Sequence, residues 1–149
     1  MYKHILLPTD GSPLSLKAAR DAAELARSMN AKITALYVAP PFIPPYMGDG
    51  MAFSARDYSP EVYEARQQRY ADEAFAQVEK AAARAKVAVK RLKVTGEAPW
   101  RSIIDSARAK KCDVIVMASH GRGGVGTLLL GSETNKVLAH SKTPVLVCR

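Results

Sequence analysis

The sequence predicts an α/β fold, built on an open parallel sheet with helices on both faces. Short apolar runs alternate with longer amphipathic segments along the whole chain, in the order βαβαβαβαβ. Two of the amphipathic segments open with serine followed by proline, at Ser12-Pro13 and Ser59-Pro60, a pair typical of helix N-termini. Because parallel strands need right-handed crossover connections, this alternation favours five parallel strands joined by helices.

Length and composition indicate one globular domain over residues 1–149. The hydrophobic fraction is 48% and the charged fraction 24%, as in ordinary globular proteins. No apolar run approaches the roughly 20 residues that span a bilayer, and the N-terminus lacks a signal-peptide pattern. We therefore expect a cytoplasmic protein with no membrane association. Its net charge of +8 favours an anionic partner, such as a nucleotide, a nucleic acid or an anionic lipid.

The strands are predicted from short apolar or alternating runs. They are Lys3–Pro8, Lys32–Val38, Lys90–Thr95, Val114–Ala118 and Thr143–Cys148. The helices are predicted from apolar positions at helical spacing. They run from Pro13 to about Met29, from Pro60 to about Lys86, from about Ala98 to Ala109 and from Ser132 to about His140. We expect Ser12 and Ser132 to act as helix caps, Asn30 to end the first helix, and Val137 and Leu138 to face inward.

Other features leave alternatives open. The Pro- and aromatic-rich segment Ala39–Ser59 is either a lid or partner surface, or a mobile insertion. A basic cluster near the end of the second helix comprises Lys80, Arg84, Lys86, Lys90, Arg91 and Lys93. It is predicted to be a solvated face rather than a nucleic-acid patch, because it lacks interleaved aromatic residues. We therefore do not expect nucleic acid as a partner. Cys112 and Cys148 border or lie in apolar runs, which predicts buried, reduced thiols.

The stretch Val114–Ser132 carries the main functional signal. It reads as a buried strand, a glycine-dense loop and a helix N-terminus, an arrangement that directs backbone N–H groups at an anion such as phosphate. Arg122 adds a cation whose planar guanidinium group can donate two hydrogen bonds to one phosphate. The loop does not match a Walker A motif, because no Gly-Lys-Ser/Thr closes it. The alternative is a flexible glycine-rich surface loop.

Asp10 follows the first strand, as Ser119 and His120 follow the fourth. In open parallel sheets, ligands bind outside the carboxyl ends of the strands, where the strand order reverses. If the first and fourth strands are neighbours, Asp10 could accept hydrogen bonds from a ribose hydroxyl or an adenine amine. The alternative is an aspartate that only satisfies its own turn.

Together these residues resemble the universal stress protein family over the whole chain. The family's nucleotide motif, Gly-x2-Gly-x9-Gly-Ser/Thr, aligns with Ala118, Gly121, Gly131 and Ser132, so alanine replaces the first glycine. The resemblance implies the strand order 3-2-1-4-5 and binding of ATP or AMP, with Mg²⁺ or Mn²⁺ on the phosphates. It implies a site made of Pro8, Thr9, Asp10, Val38, Met117, Ala118, His120, Gly121, Arg122, Gly131, Ser132 and Glu133. A carboxylate at Glu133 is unexpected there, because it repels phosphate.

The resemblance also implies a homodimer. The last strand, Pro144–Cys148, is an apolar run that lies at a sheet edge in this order, and pairing with its own copy would cover it. We expect a nucleotide-dependent, dimeric regulatory module of the stress response, with no catalytic residue, since His120 is more typical of a structural hydrogen-bonder. The alternatives are an interaction protein without nucleotide, using the Ala39–Ser59 loop, and a slow ATP hydrolase.

Overall fold

The computed structural model describes residues 1–44, 58–121 and 130–149, and in these ranges it shows five strands and four helices in strict alternation. The strands are β1 (His4–Pro8), β2 (Lys32–Ala39), β3 (Val89–Thr95), β4 (Val114–Ala118) and β5 (Val145–Cys148). The helices are α1 (Pro13–Met29), α2 (Pro60–Ala85), α3 (Pro99–Ala109) and α4 (Ser132–His140). The alternation confirms the predicted α/β fold.

All five strands are parallel and follow the order β3-β2-β1-β4-β5, as expected. β1 lies in the centre and pairs with β2 on one side and with β4 on the other, where Ile5 aligns with Val114. The chain adds β2 and β3 on one side of β1 and then crosses to the other side of β1 to add β4 and β5, so the strand order reverses between β1 and β4. Their carboxyl ends form the crevice in which such sheets bind ligands.

Two apolar layers enclose the sheet. One contains side chains of α1 and α2 packed on alternate strand residues such as Ile5 and Leu7, and the other contains α3, α4 and Leu6. Because successive strand side chains point to opposite faces, each strand contributes to both layers. Helices consequently cover both faces of the sheet.

Most predicted helix ends are confirmed. Ser12 Oγ accepts a hydrogen bond from Ser15 N at 3.2 Å, Ser59 Oγ accepts one from Val62 N at 3.2 Å, and Asn30 ends α1 with a φ of 52°. The prediction for Ser132 was wrong, because the N-cap of α4 is Gly131 and Ser132 is the first helical residue.

The prediction that Leu138 faces inward was also wrong. Its side chain is 42% exposed, whereas Val137 is fully buried. Consecutive helical residues differ by about 100° in direction, and the short helix α4 buries a narrow stripe that includes Val137. Strand boundaries shift by one or two residues: β5, for example, starts at Val145, and the preceding Pro144 contributes only its carbonyl, which accepts from Ile115 N at 2.9 Å.

The segment between β2 and α2 is described only in part. Ala39 belongs to β2, and residues 45–57, the centre of the segment predicted as a lid, partner surface or mobile insertion, lie outside the described ranges. Its described beginning packs on α2, since Tyr63 Oη donates to Pro40 O at 2.6 Å and the rings of Phe42 and Tyr63 lie 5.4 Å apart.

Both cysteines are free and buried, which confirms the prediction of reduced core thiols. Burial raises the pKa of each thiol to about 11. A search of the described helices finds none with the length and apolar character of a membrane span.

Candidate nucleotide site at the carboxyl ends of β1 and β4

The turn after β1 holds Asp10 in a fixed position. Gly11 takes a φ of 76°, which glycine adopts without strain, and so turns the chain sharply into α1. Asp10 Oδ1 accepts a hydrogen bond from Ser12 N at 2.9 Å and another from Ser15 Oγ. The carboxylate thus satisfies its own turn, as the structural alternative for this residue predicted, while it stands at the carboxyl end of β1.

The end of β4 lies directly beside this turn. A Cβ placed on Gly121 would come within 2.9 Å of Asp10 Oδ2, so a larger residue would displace the carboxylate. The ends of β1 and β4 are therefore in contact, as the neighbouring strands lead us to expect. Pro8 pairs with Leu36 of β2, and Thr9 N donates to Leu36 O at 2.9 Å, which fixes the backbone just before Asp10.

Ala118, the residue in place of the first motif glycine, ends β4 with ordinary strand geometry. It pairs with Cys148, and the described non-glycine residues with positive φ are Asn30, Lys86 and Lys111. Ala118 is 8% exposed, and its carbonyl accepts a hydrogen bond from Thr134 Oγ1 of α4 at 3.1 Å. The position therefore requires no glycine conformation, and alanine is compatible with the backbone.

The N-terminus of α4 packs tightly on the end of β4. Gly131 N donates to Ser119 O at 2.8 Å. A Cβ on Gly131 would come within 3.2 Å of that carbonyl oxygen and 3.3 Å of His120 Cα. These contacts are tight, so a side chain here would require a small shift of the backbone at Ser119 and His120. Backbone conformation does not demand glycine, because a φ of −61° is one that any residue can adopt. Ser132 follows as an exposed residue on the first turn.

His120 follows the end of β4, at the start of the loop that leads to α4. The half-buried His120 ring places Nδ1 3.1 Å from Ser119 Oγ, which is compatible with the structural role we expected. Arg122 and the rest of 122–129 lie outside the described residues. Just before α4, Leu130 O accepts a hydrogen bond from Asn135 Nδ2 at 3.1 Å, which ties Leu130 to the helix.

Val38 and Met117 belong to the apolar layer beneath the crevice. Val38 lies at the end of β2, pairs with Val94 and is half-buried, whereas Met117 in β4 is only 6% exposed. Both pack in the cluster shared with α3. Val38 is thus positioned to offer an apolar contact at the strand ends, while Met117 supports the floor.

Glu133 has a role that the sequence did not reveal. Its Oε2 accepts a hydrogen bond from Trp100 N at 2.8 Å, and Lys136 Nζ lies 3.3 Å from Oε1. Trp100 is the second residue of α3, whose N-cap residue Ala98 provides no side-chain acceptor. The carboxylate of α4 therefore caps α3. The available signal was the unusual pairing of an apolar N-cap at Ala98 with an acidic residue in the first turn of a neighbouring helix.

The described residues do not form a metal centre. They contain no group of three or more His, Cys, Asp or Glu side chains that could hold a metal ion. Asp10 and Glu133 already accept hydrogen bonds from their own surroundings. Since Mg²⁺ commonly combines one or two carboxylates with substrate phosphates, these residues alone do not supply a protein-held metal.

Comparison with known proteins identifies the family. The model of the universal stress protein family matches residues 1–149. The chain belongs to the universal stress protein family. It is 34% identical over 152 residues to a universal stress protein of Thermus aquaticus, with full coverage of both chains. It is 33% identical over 149 residues to universal stress protein MJ0531 of Methanocaldococcus jannaschii, covering 100% of this chain and 83% of that protein.

Solved structures of universal stress proteins share the fold. UspA from Lactobacillus plantarum superposes with a TM-score of 0.77 at 26% identity, covering 99% of this chain and 98% of the other. A universal stress protein solved in complex with cAMP has a TM-score of 0.66 at 25% identity, with coverage of 99% and 97%. The Archaeoglobus fulgidus protein solved with dAMP, at 18% identity and a TM-score of 0.68, supports the fold alone.

Proposed function

We propose that this universal stress protein binds an adenine nucleotide, ATP or AMP, at the carboxyl ends of β1 and β4. Asp10 would bind the nucleoside end and Val38 would pack on the base, as the family resemblance implies. The first turn of α4, with Gly131 and Ser132, would bind the phosphates. A similar universal stress protein was solved in complex with cAMP, which supports an adenine nucleotide as the ligand class.

The observation that carries this proposal is the contrast between the four helix N-termini. Ser12 caps α1, Ser59 caps α2 and the Glu133 carboxylate caps α3. The N-cap of α4 is Gly131, which has no side chain to accept its first N–H groups. A helix N-terminus carries a partial positive charge, and among the described residues no side chain, from its own N-cap or from a neighbouring helix, caps that of α4. This N-terminus therefore suits an anion.

The proposal is tested by calorimetric titration with AMP and with ATP, each with and without Mg²⁺. We expect about one nucleotide per chain with micromolar affinity, about −8 kcal/mol. Gly131→Val should lower the affinity at least tenfold, because its Cβ would lie 3.2 Å from Ser119 O and its branched side chain would crowd the phosphate end of α4. If ATP binding requires Mg²⁺ and AMP binding does not, the metal binds mainly to the phosphates that ATP has and AMP lacks.

Val137→Ala is the matched control. It removes fully buried atoms from the same helix and lowers stability without adding an atom at the strand ends. We expect it to unfold at a lower temperature than wild type and still bind nucleotide. Absence of heat and of thermal stabilisation at millimolar nucleotide with the wild-type protein would refute the proposal, and equal loss of binding in both variants would refute the role of Gly131.

A second proposal concerns assembly. β5 lies at one edge of the described sheet, and Leu146 on this strand is 45% exposed. We propose that the edge pairs with that of a second copy, which would cover the apolar strand. The stress-response role of a nucleotide-dependent dimer follows from these two proposals and from the family name.

A further inference from the structure

A wide basic groove runs between α1 and α2, on the face of the sheet opposite α3 and α4. Its volume is about 530 Å³, and its walls are the facing sides of the two helices. Four of its lining residues are basic, Arg20, Arg27, Lys80 and Arg84, against one acidic residue, Glu24. The groove thus concentrates three net positive charges of a chain whose total is +8.

The four cations are not used by the described part of the fold. All four side chains are exposed, and none forms an ion pair with any residue in the ranges 1–44, 58–121 and 130–149. Of the other cations on these two helices, Lys17 pairs with Asp21 at 3.2 Å, whereas Arg66 and Arg69 have no ion pair with a described residue either. What distinguishes the four groove cations is therefore their position around one cavity, which Arg66 and Arg69 do not share.

Helix dipoles explain the positions of only two of the four groove cations. Arg27 and Arg84 lie in the last turns of their helices, where a cation is favourable in any protein. Arg20 lies in the middle of α1 and Lys80 more than a turn before the end of α2, where the dipole has little effect. Arg20 and Lys80 are therefore the residues for which a ligand is the better explanation.

The spacing of the cations indicates how long an anion must be to contact them all. Arg27 follows Arg20 by seven positions, about 10 Å along the helix axis, and Arg84 follows Lys80 by four positions, about 6 Å. One phosphate group cannot reach all four positions, whereas a linear chain of phosphates can contact both helices along the groove. Arginine and lysine both bind phosphate oxygens well, arginine in a bidentate manner.

We propose that the α1–α2 groove binds a linear polyphosphate chain of three or more phosphate groups. The residues that line it include no aromatic side chain, so nothing in the described groove would stack nucleic-acid bases. Apart from Leu16, the apolar lining consists of alanines such as Ala23 and Ala81, whose short side chains leave the groove wide. The groove shares no lining residue with the proposed nucleotide site, and the proposal does not depend on that site.

The test is calorimetric titration with sodium tripolyphosphate in Mg²⁺-free buffer. We expect one site per chain in the groove, with affinity at least tenfold higher than for inorganic phosphate. The double variant Arg20→Gln/Lys80→Gln should lose at least tenfold in tripolyphosphate affinity. The matched control Arg66→Gln/Lys142→Gln removes the same two charges from exposed positions outside the groove and should change the affinity less than twofold.

Two further arms separate the sites and the ligand classes. Gly131→Val should keep tripolyphosphate binding in the groove, and Arg20→Gln/Lys80→Gln should keep AMP binding, if wild type binds AMP. Equal losses in the groove variant and the matched control would overturn the proposal, since the effect would then be net charge alone. Tighter binding of a single-stranded oligonucleotide or a polyglutamate peptide of equal charge would also overturn it.

Discussion

Replacement of Glu133 by alanine tests whether α4 caps α3. In the variant, Trp100 N loses the carboxylate oxygen that lies 2.8 Å away, and Ala98 offers no substitute. A hydrogen bond to a charged group is worth about 1.5–3 kcal/mol. The side chain of Glu133 is 38% exposed, so water partly replaces it, and the loss should approach the usual cost of a missing cap, about 1 kcal/mol.

Two companion variants separate the hydrogen bond from the charge. Glu133→Gln and Glu133→Ala both raise the formal net charge from +8 to +9, since each removes one carboxylate. Only glutamine keeps an oxygen that can accept from Trp100 N, so it should retain about half of the stabilisation. Lys136→Ala removes an exposed contact of 3.3 Å and should cost less than about 0.5 kcal/mol.

Thermal denaturation followed by circular dichroism measures these differences. For a chain of this size, about 1 kcal/mol corresponds to a Tm decrease of about 2–4 °C for Glu133→Ala, with Glu133→Gln in between. Trp100 is the single tryptophan, so its fluorescence reports on the N-terminus of α3 in the folded state. A Glu133→Ala protein as stable as wild type, or a Lys136→Ala protein that loses as much, would refute the capping role.

Three shorter predictions concern other parts of the chain. Ala118→Gly should change nucleotide affinity less than threefold and lower stability by about 0.5–1 kcal/mol, because the strand position needs no glycine conformation; a large gain in affinity by calorimetry would contradict this. Leu146→Lys should convert a dimer to a monomer in light scattering with little change in Tm, and a monomeric wild type would contradict the edge pairing. Since burial raises the pKa of both thiols to about 11, the unfolded chain loses these protons first, so stability should fall as pH rises from about 9 to 11. The same burial should make labelling by a thiol reagent at pH 8 much slower than in denaturant, and equal rates would contradict it.

The fold was predictable because its signals are local. Ser-Pro pairs at the starts of α1 and α2 and the alternation of strands with helices determined the element order. The strand order, by contrast, came from the family resemblance, since periodicity does not specify which strands are neighbours. The wrong prediction for Leu138 has a simple cause: two adjacent apolar residues on a short helix do not show which of them the sheet covers.

The candidate site was predictable in outline and not in its contacts. Gly121 and Gly131 were recognised by motif spacing, and the structure adds what a side chain at each would crowd, namely Asp10 Oδ2 and Ser119 O. The capping role of Glu133 was missed, because Glu133 lies 33 positions from Trp100 and the apolar N-cap at Ala98 does not show which residue replaces the missing cap. The basic groove was missed for the same reason, since Arg20 and Lys80 approach one cavity only after the helices pack.

The position of the Glu133 carboxylate also decides how a nucleotide would interact with it. A carboxylate about 4 Å from a phosphate would repel it by about 1 kcal/mol in water and by about 4 kcal/mol near a protein surface. In the structure this charge is compensated by Trp100 N and Lys136. Glu133→Gln should therefore change AMP affinity less than threefold. An increase of tenfold or more in the same calorimetric assay would mean that the carboxylate turns towards the phosphates when nucleotide binds, and that α3 loses its cap in the bound state.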